Sequence, residues 1–352
     1  MNRNLGSEIS VVIPSWNGLQ LLLETLPSIQ AAARFYEDET GSSTEILIVD
    51  DGGTDETLEV IPEKFPEVRL LAKPRNEGFA AACNFGFRSC RYPLISLLNN
   101  DVRVQKSYFL YQSLHFQDPS VFAVTAKVFA WDRPLFTAGG RFGRFRRGFW
   151  SMYFNYDVSA PTAGRWIENR QLLSACAIGG FSVYSRKKLE ELAGFNPLLS
   201  PFHWEDVDLS YRGWKRGWTI HYEPRSVAHH RISATIDKHF EKNKVKAAAL
   251  RNRLLFHWIN LHSPRYWVPH LLMLFVLFFT RVFFLDFRFY GSLLSSLKEL
   301  RRVRYHRKEE RNRSRRSDTD VSRLLDSFYR SAPIQIYYGE KEVVEKHPDF
   351  QR

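Results

Sequence analysis

Short apolar runs that each end in a polar loop of Asp, Asn and Gly constrain this chain more than any other feature. Ile9-Ser-Val-Val-Ile-Pro14 leads to Trp16-Asn17-Gly18, and Glu45-Ile-Leu-Ile-Val-Asp50 leads to Asp51-Gly52-Gly53-Thr54-Asp55. Leu94 to Leu98 runs into Asn99-Asn100-Asp101. Such β-branched runs, bounded by turn residues, read as buried parallel strands. Leu19 to Ala33 carries apolar residues at helical spacing, Val68 to Ala72 reads as a further strand, and Gly78 to about Cys90 as a helix. Strands that alternate with helices predict an α/β fold, with a mostly parallel central sheet flanked by helices. In such sheets ligands bind beyond the carboxyl ends of the strands, which is where the three polar loops fall.

The regularity breaks after Phe129, and Gly139 to Gly148 reads as a mobile basic-aromatic loop. Order resumes near Leu172, with a strand over Ala175 to Tyr184, a helix over Lys187 to Ala193 and a loop from His203 that enters a helix. A strand over Trp218 to Tyr222 is followed by a turn around Pro224 and by His229 and His230. From Lys238 a basic helix leads to Pro264 and the apolar run Trp267 to Leu285, a helical, membrane-associated segment. A spanning helix needs roughly 20 predominantly apolar residues. The clean stretch, Leu271 to Thr280, is shorter and is flanked by His270 and Arg281, so a helix lying in the membrane surface and a single spanning helix both stay open. Lys298 to Arg316 is dense in Lys and Arg, which suits anionic lipid headgroups or a solvated tail. These changes of character divide the chain into residues 8–235, 236–297 with the apolar run 267–285, and a basic tail 298–352.

The net charge of +12 is mostly a property of that tail, and no nucleic-acid-binding module accompanies it. Cys83, Cys90 and Cys176 lack the spacing of a zinc site or a disulfide framework, which fits a reducing compartment. Met1 to Ser10 has no apolar core of a signal peptide, so the catalytic region is expected on the cytoplasmic face of the plasma membrane.

Several polar residues are placed for chemistry, and each also has a plainer reading. Asp50 and Asp51 suit hydrogen bonds to a nucleoside, or the capping of the next helix. Asp101 after Asn99 and Asn100 suits a hard cation such as Mg²⁺ or Mn²⁺, which keeps water and takes phosphate oxygens as further ligands; alone it is a turn. Gly78, after Asn76, opens a helix whose free N–H groups suit an anion. Glu205, Asp206 and Asp208 follow His203 and Trp204; a carboxyl desolvated by Trp204 suits a general base, and helix capping explains one of the three. His229 is a candidate metal or phosphate ligand or a structural histidine.

Taken in order, Val11-Val-Ile-Pro-Ser-Trp-Asn17, Ile48-Val-Asp-Asp-Gly-Gly-Thr-Asp55, Asn76-Glu-Gly-Phe79, Asn99-Asn-Asp101 and Glu205-Asp-Val-Asp208 resemble the family 2 glycosyltransferases of GT-A fold, most closely the rhamnosyltransferase-like bacterial branch. The resemblance spans about residues 8 to 235. It implies an inverting, metal-dependent transfer of a hexosyl or deoxyhexosyl group from a nucleotide sugar to a glycan or lipid-linked glycan acceptor in cell-surface polysaccharide synthesis. It implies donor contacts at Pro14, Trp16, Asn17, Asp50, Asp51, Asn76, Gly78, Asn99 and Asn100, a metal at Asp101 with His229 near the diphosphate, Asp206 as base and Glu205 beside it. It also implies that Arg251-Asn252-Arg253 opens membrane-directed helices. Asn99 stands where many relatives carry the first Asp of an Asp-x-Asp signature, which leaves the metal to Asp101. The rival readings are a catalytically inactive membrane-bound sugar-binding scaffold and a nucleotidyltransferase; the second usually shows a basic glycine-rich loop after the first strand, and Pro14 to Gly18 has no Lys or Arg.

Overall fold

The computed structural model of the chain describes residues 6–201, 203–231, 241–338 and 341–342. The division expected at 235/236 and the last residues of the expected tail lie outside them. In chain order the elements are β1 (Ile9–Ser15), α1 (Leu19–Thr40), β2 (Thr44–Asp50), α2 (Thr57–Lys64), β3 (Arg69–Ala72), α3 (Phe79–Ser89), β4 (Leu94–Leu98), β5 (Val102–Val104), α4 (Tyr108–Ser113), β6 (Val121–Ala130) and β7 (Phe136–Ala138). Then come β8 (Gly140–Arg146), β9 (Phe149–Val158), α5 (Ala160–Glu168), β10 (Phe181–Ser185), α6 (Arg186–Glu191), α7 (Glu205–Lys215) and β11 (Thr219–His230). The remainder is α8 (Lys242–Asn260), α9 (Pro264–Phe283), α10 (Phe287–Lys298), α11 (Leu300–Arg313), α12 (Asp318–Ser331), β12 (Ile334–Tyr338) and β13 (Lys341–Glu342).

The main sheet has the order β3-β2-β1-β4-β10-β6-β11-β5, with β7 on β6. Its first four strands are parallel, as the apolar runs predict. β10 is antiparallel to both β4 and β6, β6 and β11 are parallel, and β5 is antiparallel to β11, so the sheet is mixed beyond β4. β1 and β4 are buried along their whole length. Ile9, Val11 and Ile13 pack with Leu22, Leu26 and Ile29 of α1, while Val12 and Val49 pack with Ala82, Cys83 and Phe87 of α3. Alternate side chains of one strand thus meet helices on opposite faces, which is why the run has no polar member exposed. A Cβ on Gly86 would stand 2.5 Å from Val12 Cγ1, so α3 approaches β1 at a distance only glycine permits.

Several expectations change, and the strand expected over Ala175 to Tyr184 is confined to β10. Residues 139–148 are not a loop: β8 and β9 form an antiparallel hairpin whose two turn residues, Arg147 and Gly148, have φ of 47° and 76°. Positive φ at both positions is what a two-residue turn needs to match the twist of its strands. Phe142 and Trp150 face the core from this hairpin.

The expected basic tail is folded through β13. β12 pairs with β9, extending the second sheet to the order β13-β12-β9-β8. Val321, Leu325 and Phe328 of α12 join the core shared with Phe142 and Tyr156. Charged residues also tie the tail to the body: Arg307 Nη1 donates to Trp258 O at 2.8 Å and its guanidinium lies 4.5 Å over the Trp267 ring, while Glu310 pairs with Arg216 at 2.8 Å. Sparse apolar residues at helical spacing, hidden in the charge, anchor this region.

Asp318 is its main polar tie. The carboxylate accepts from Lys215 Nζ (2.8 Å), Tyr211 Oη (2.9 Å) and the backbone N–H groups of His262 (2.7 Å) and Ser263 (2.6 Å). Desolvation acts to raise its proton affinity, but the Lys215 charge and these donors outweigh burial and hold the carboxyl below its ordinary range. Burial pulls Lys215 the other way, below its ordinary value. The pair is read as charged, because four donors converge on Asp318 and Lys215 also reaches Asn260 O at 3.1 Å. Asp318→Ala strands a buried ammonium and is expected to lower stability by roughly 3–5 kcal/mol at neutral pH, measured by chemical denaturation. Since the folded carboxyl sits below its unfolded value, its contribution is full above the ordinary carboxylate range and is lost as pH falls through the folded value. The gap between parent and variant should therefore narrow in acid, and a constant gap would contradict this account.

Candidate active site

β1, β2 and β4 lie side by side and parallel, so the loops that leave their carboxyl ends meet at one edge of the sheet. Asp51 N–H donates to Ser15 O (2.8 Å), Asn100 Nδ2 to Ser15 Oγ (3.0 Å) and Thr54 N–H to Asn17 Oδ1 (2.7 Å). Asp50 Oδ2 accepts from Gly53 N–H at 2.9 Å, and Asp55 Oδ2 accepts from Leu19 N–H at 2.9 Å, satisfying the start of α1 from the neighbouring loop.

Asp51 gathers the next segment. Its carboxylate pairs with the buried Lys73 Nζ at 2.5 Å and accepts from Gly78 N–H at 2.7 Å and Glu77 N–H at 3.2 Å. The Asn76 to Gly78 turn is thereby fixed against β2, with its N–H groups committed to Asp51 in place of a free anion site.

A cavity of 880 Å³ opens above these loops. It is bordered by Pro14, Trp16, Asp51, Asn76 and Gly78, by Asn99, Asn100 and Asp101, and by Glu205 and Asp206. Asn17, Asp50 and His229 do not border it. Asn17 ties the first loop to Thr54 of the second, and Asp50 braces its own loop through Gly53. Burial raises the proton affinity of Asp50, helped by the charges of Asp55 and Asp51, and its Oδ1 is buried without a partner.

His229 is the clearest change from expectation. β11 continues through Pro224 to His230, with its register to β6 shifted between Glu223 and Val227. Successive side chains of a strand point to opposite faces. His229 Nδ1 lies 3.4 Å from Ala130 O and its ring packs 5.9 Å from Phe129. His230 borders the cavity, with Nε2 3.3 Å from Asp101 Oδ1.

The carboxylate of Asp101 tests the expected metal. Asp101 is 6% exposed and its Oδ1 accepts no hydrogen bond, with His230 Nε2 3.3 Å away. A buried anionic oxygen in need of a cation beside an imidazole nitrogen fits a divalent ion. Among the described residues no three His, Cys, Asp or Glu side chains converge, so the rest of its shell belongs to water and phosphate oxygens, the usual habit of Mg²⁺. Asn99 is pressed against Gly180, whose φ is +93° and whose Cβ, if present, would stand 2.5 Å from Asn99 Cγ.

α7 supplies the other side. His203 and Trp204, just before it, both have positive φ, 63° and 75°, a strained conformation for residues with a Cβ, costing on the order of 1–3 kcal/mol each. Packing holds it: Asn252 Nδ2 donates to His203 O at 3.2 Å, and the Trp204 ring lies 5.2 Å from Phe256 of α8. The turn aims Glu205 and Asp206 into the cavity. Asp206 Oδ1 accepts from Val207 N–H (2.8 Å) and Oδ2 from Gly179 N–H (3.3 Å), which fixes the plane of the carboxylate. Glu205 Oε2 is buried without a partner, and desolvation, with the Asp206 charge added, pushes its carboxyl up to about 8. Asp208 points inward instead and pairs with Arg212 at 2.7 Å.

Arg141 of β8 also borders the cavity, opposite in charge to the carboxylates around it. Its backbone is pinned by Ser174 Oγ (2.9 Å), Ala175 N–H (3.0 Å) and Tyr329 Oη (3.2 Å).

The sequence profile described as Glycosyl transferase family 2 matches residues 10–193. The chain is 35% identical over 100 residues to the undecaprenyl-phosphate 4-deoxy-4-formamido-L-arabinose transferase of Pseudomonas fluorescens, which is 27% of this chain and 28% of that protein. The similar curated proteins are matched over only 13% to 36% of their own lengths. Among solved structures, GalNAc-T7 with UDP, GalNAc and Mn²⁺ is similar with a TM-score of 0.55 and 17% identity over 72% of this chain and 48% of that one. The mannosyltransferase PcManGT of Pyrobaculum calidifontis, in complex with GDP-Man and Mn²⁺, is similar with a TM-score of 0.51 and 16% identity over 84% and 76%. At these identities the likeness is one of fold, the GT-A type α/β architecture.

The two histidines give a direct test of the strand geometry. His230→Ala is expected to weaken Mn²⁺-supported binding of a nucleoside diphosphate by about 10-fold or more, by calorimetry, and His229→Ala to leave it near the parent value. Equal effects would contradict the placement. The Glu205 carboxyl holds its proton to about 8 when folded against an ordinary 4.5, so the folded state binds the extra proton in that window and loses stability as pH rises through it. Glu205→Gln should flatten that slope in melting temperature; parallel profiles for parent and variant would contradict it.

Proposed function

Because the chain belongs to glycosyl transferase family 2, we propose that it moves a hexosyl or deoxyhexosyl group from a nucleotide sugar to a hydroxyl of a glycan or lipid-linked glycan, with inversion at the anomeric carbon. The observation that carries this reading is the meeting of Asp101, Glu205 and Asp206 in one cavity with Pro14, Trp16 and Asp51. That set of groups suits a nucleoside at the first loops, a diphosphate at Asp101 and an acceptor at α7.

In this mechanism Trp16 and Pro14 flank the nucleoside, and the Asp51 carboxylate, held still by Lys73 and two N–H groups, accepts from its hydroxyl or imide donors. Asp206 takes the proton of the acceptor hydroxyl as that oxygen attacks the anomeric carbon. Its two backbone donors fix the direction in which it does so. Glu205, whose carboxyl is pushed up to about 8 by desolvation and the Asp206 charge, stands beside it. A divalent cation held by Asp101 and His230 would supply positive charge for the departing diphosphate.

Arg141 favours an anionic acceptor, and with the apolar α9 it supports a lipid-linked phosphate at the cytoplasmic face of a membrane. The likeness of the motifs to the rhamnosyltransferase-like branch supports a deoxyhexose donor. A donor panel with Mn²⁺ and lipid extract as acceptor source tests the reading by nucleoside diphosphate release; no release from any donor overturns it. Asp206→Asn is expected to lower turnover by about 10²- to 10⁴-fold with donor binding intact, and near-normal turnover would remove Asp206 as the base.

A further inference from the structure

α9 has two faces of different character. Over its 20 residues, about 30 Å of helix, one side is mounted on the protein. Trp267, Met273, Leu274 and Leu277 pack against the cluster of Phe149, Leu255 and Trp258. His270 is fully buried, its Nδ1 2.8 Å from Gly148 O and its ring stacked 4.8 Å from His257 of α8. The opposite side is apolar and open: Leu272, Phe275, Phe279 and Phe283 recur at helical spacing and are 62%, 65%, 54% and 82% exposed. The stripe continues past the turn into α10 through Phe287 and Leu294, 67% and 58% exposed. α10 is itself fixed, with Ser292 Oγ donating to Ala247 O of α8 at 3.0 Å.

A helix that crosses a bilayer meets lipid, or other apolar helices, around its girth. α9 does so along one side only, and its middle is bonded to the β8–β9 hairpin. Cations mark both ends of the apolar stripe: Arg265 in the first turn, and Arg281 and Arg288, with side chains 41% and 50% exposed, around Asp286 at the far end. Exposed phenylalanine flanked by arginine is complementary to the boundary between acyl chains and anionic headgroups.

We propose that the α9–α10 pair is an in-plane seat for an anionic lipid surface, with α9 lying along the membrane and its buried side carrying the catalytic body. This deepens the membrane-associated part of the proposed function and rests on it, and is independent of sugar transfer. The seat holds the β8–β9 hairpin, and with it Arg141 at the cavity, in fixed relation to the lipid.

The test is co-sedimentation of the full chain with vesicles of equal parts phosphatidylethanolamine and phosphatidylglycerol, together with alkaline carbonate extraction from membranes of expressing cells. The parent should bind the vesicles and be released by carbonate. A Phe275→Glu, Phe279→Glu double variant, whose changes fall on exposed positions, should melt like the parent and bind about 100-fold more weakly. Retention in carbonate would show a spanning helix and overturn the proposal. Unchanged vesicle binding by the variant would overturn it too, as would a parent dimer that the variant converts to monomer without any vesicle binding by either. Mn²⁺-supported nucleoside diphosphate binding, measured on the same two proteins, separates the cases: its absence counts against the transferase reading alone.

Discussion

Asp51 carries the polar architecture on which the cavity depends. Its carboxylate receives an ammonium and two backbone N–H groups while its own N–H is bonded to the end of β1. One residue therefore joins the ends of β1, β2 and β3 and the turn before α3. Lys73, 8% exposed, has Asp51 and Glu77 as its ion-pair partners, and removing one member of a buried pair costs far more than the pair contributes net. The parallel register of β1, β2 and β4 brings the loops to one edge, and Asp51 fixes how they stand there.

The other side of the cavity is held from outside the main sheet. Positive φ at His203 and Trp204 survives because α8 packs against Trp204 and bonds the His203 carbonyl, and α8 in turn rests on α7, α10 and α11. Arg251-Asn252-Arg253 is thus part of the machinery that shapes the cavity: Arg251 Nη1 reaches Leu198 O at 3.0 Å, and Asn252 holds the next residues. The same α8 carries His257, stacked on His270 of the apolar helix. The carboxylates of α7 and the exposed apolar side of α9 share one support.

What the sequence made legible follows from burial. β1, β2 and β4 are covered on both faces, so only apolar residues survive there and the strand ends are marked by the first polar residue. The loops carrying Asp51, Asn99 and Asp101 could be placed at the ligand edge for that reason. β11 was legible only to Tyr222, because Pro224 reads as a turn; the strand absorbs it at a register shift, where a proline without an N–H is tolerated. The resemblance implied His229 near the diphosphate, whereas along this strand it is His230 that borders the cavity. The hairpin over 140–158 was hidden because Gly and Arg interrupt its alternation, and its core contacts with α12 are made across nearly two hundred residues. In 298–338 the dense charge masked Val303, Val321 and Leu325, whose burial depends on partners no local pattern reveals. Asp206 and Glu205 were placed by motif; the burial that raises the proton affinity of Glu205 is supplied only by the fold.

The central claim is a single displacement driven from the α7 side of the cavity, with the donor's diphosphate on the opposite side of the reacting carbon. The anomeric configuration of the product tests it most directly, read from the proton and carbon couplings of the new linkage by NMR after transfer from a donor of defined configuration. The account predicts the opposite configuration to that of the donor. A product that keeps the donor's configuration would contradict it, whatever the effect of substitutions at Asp206.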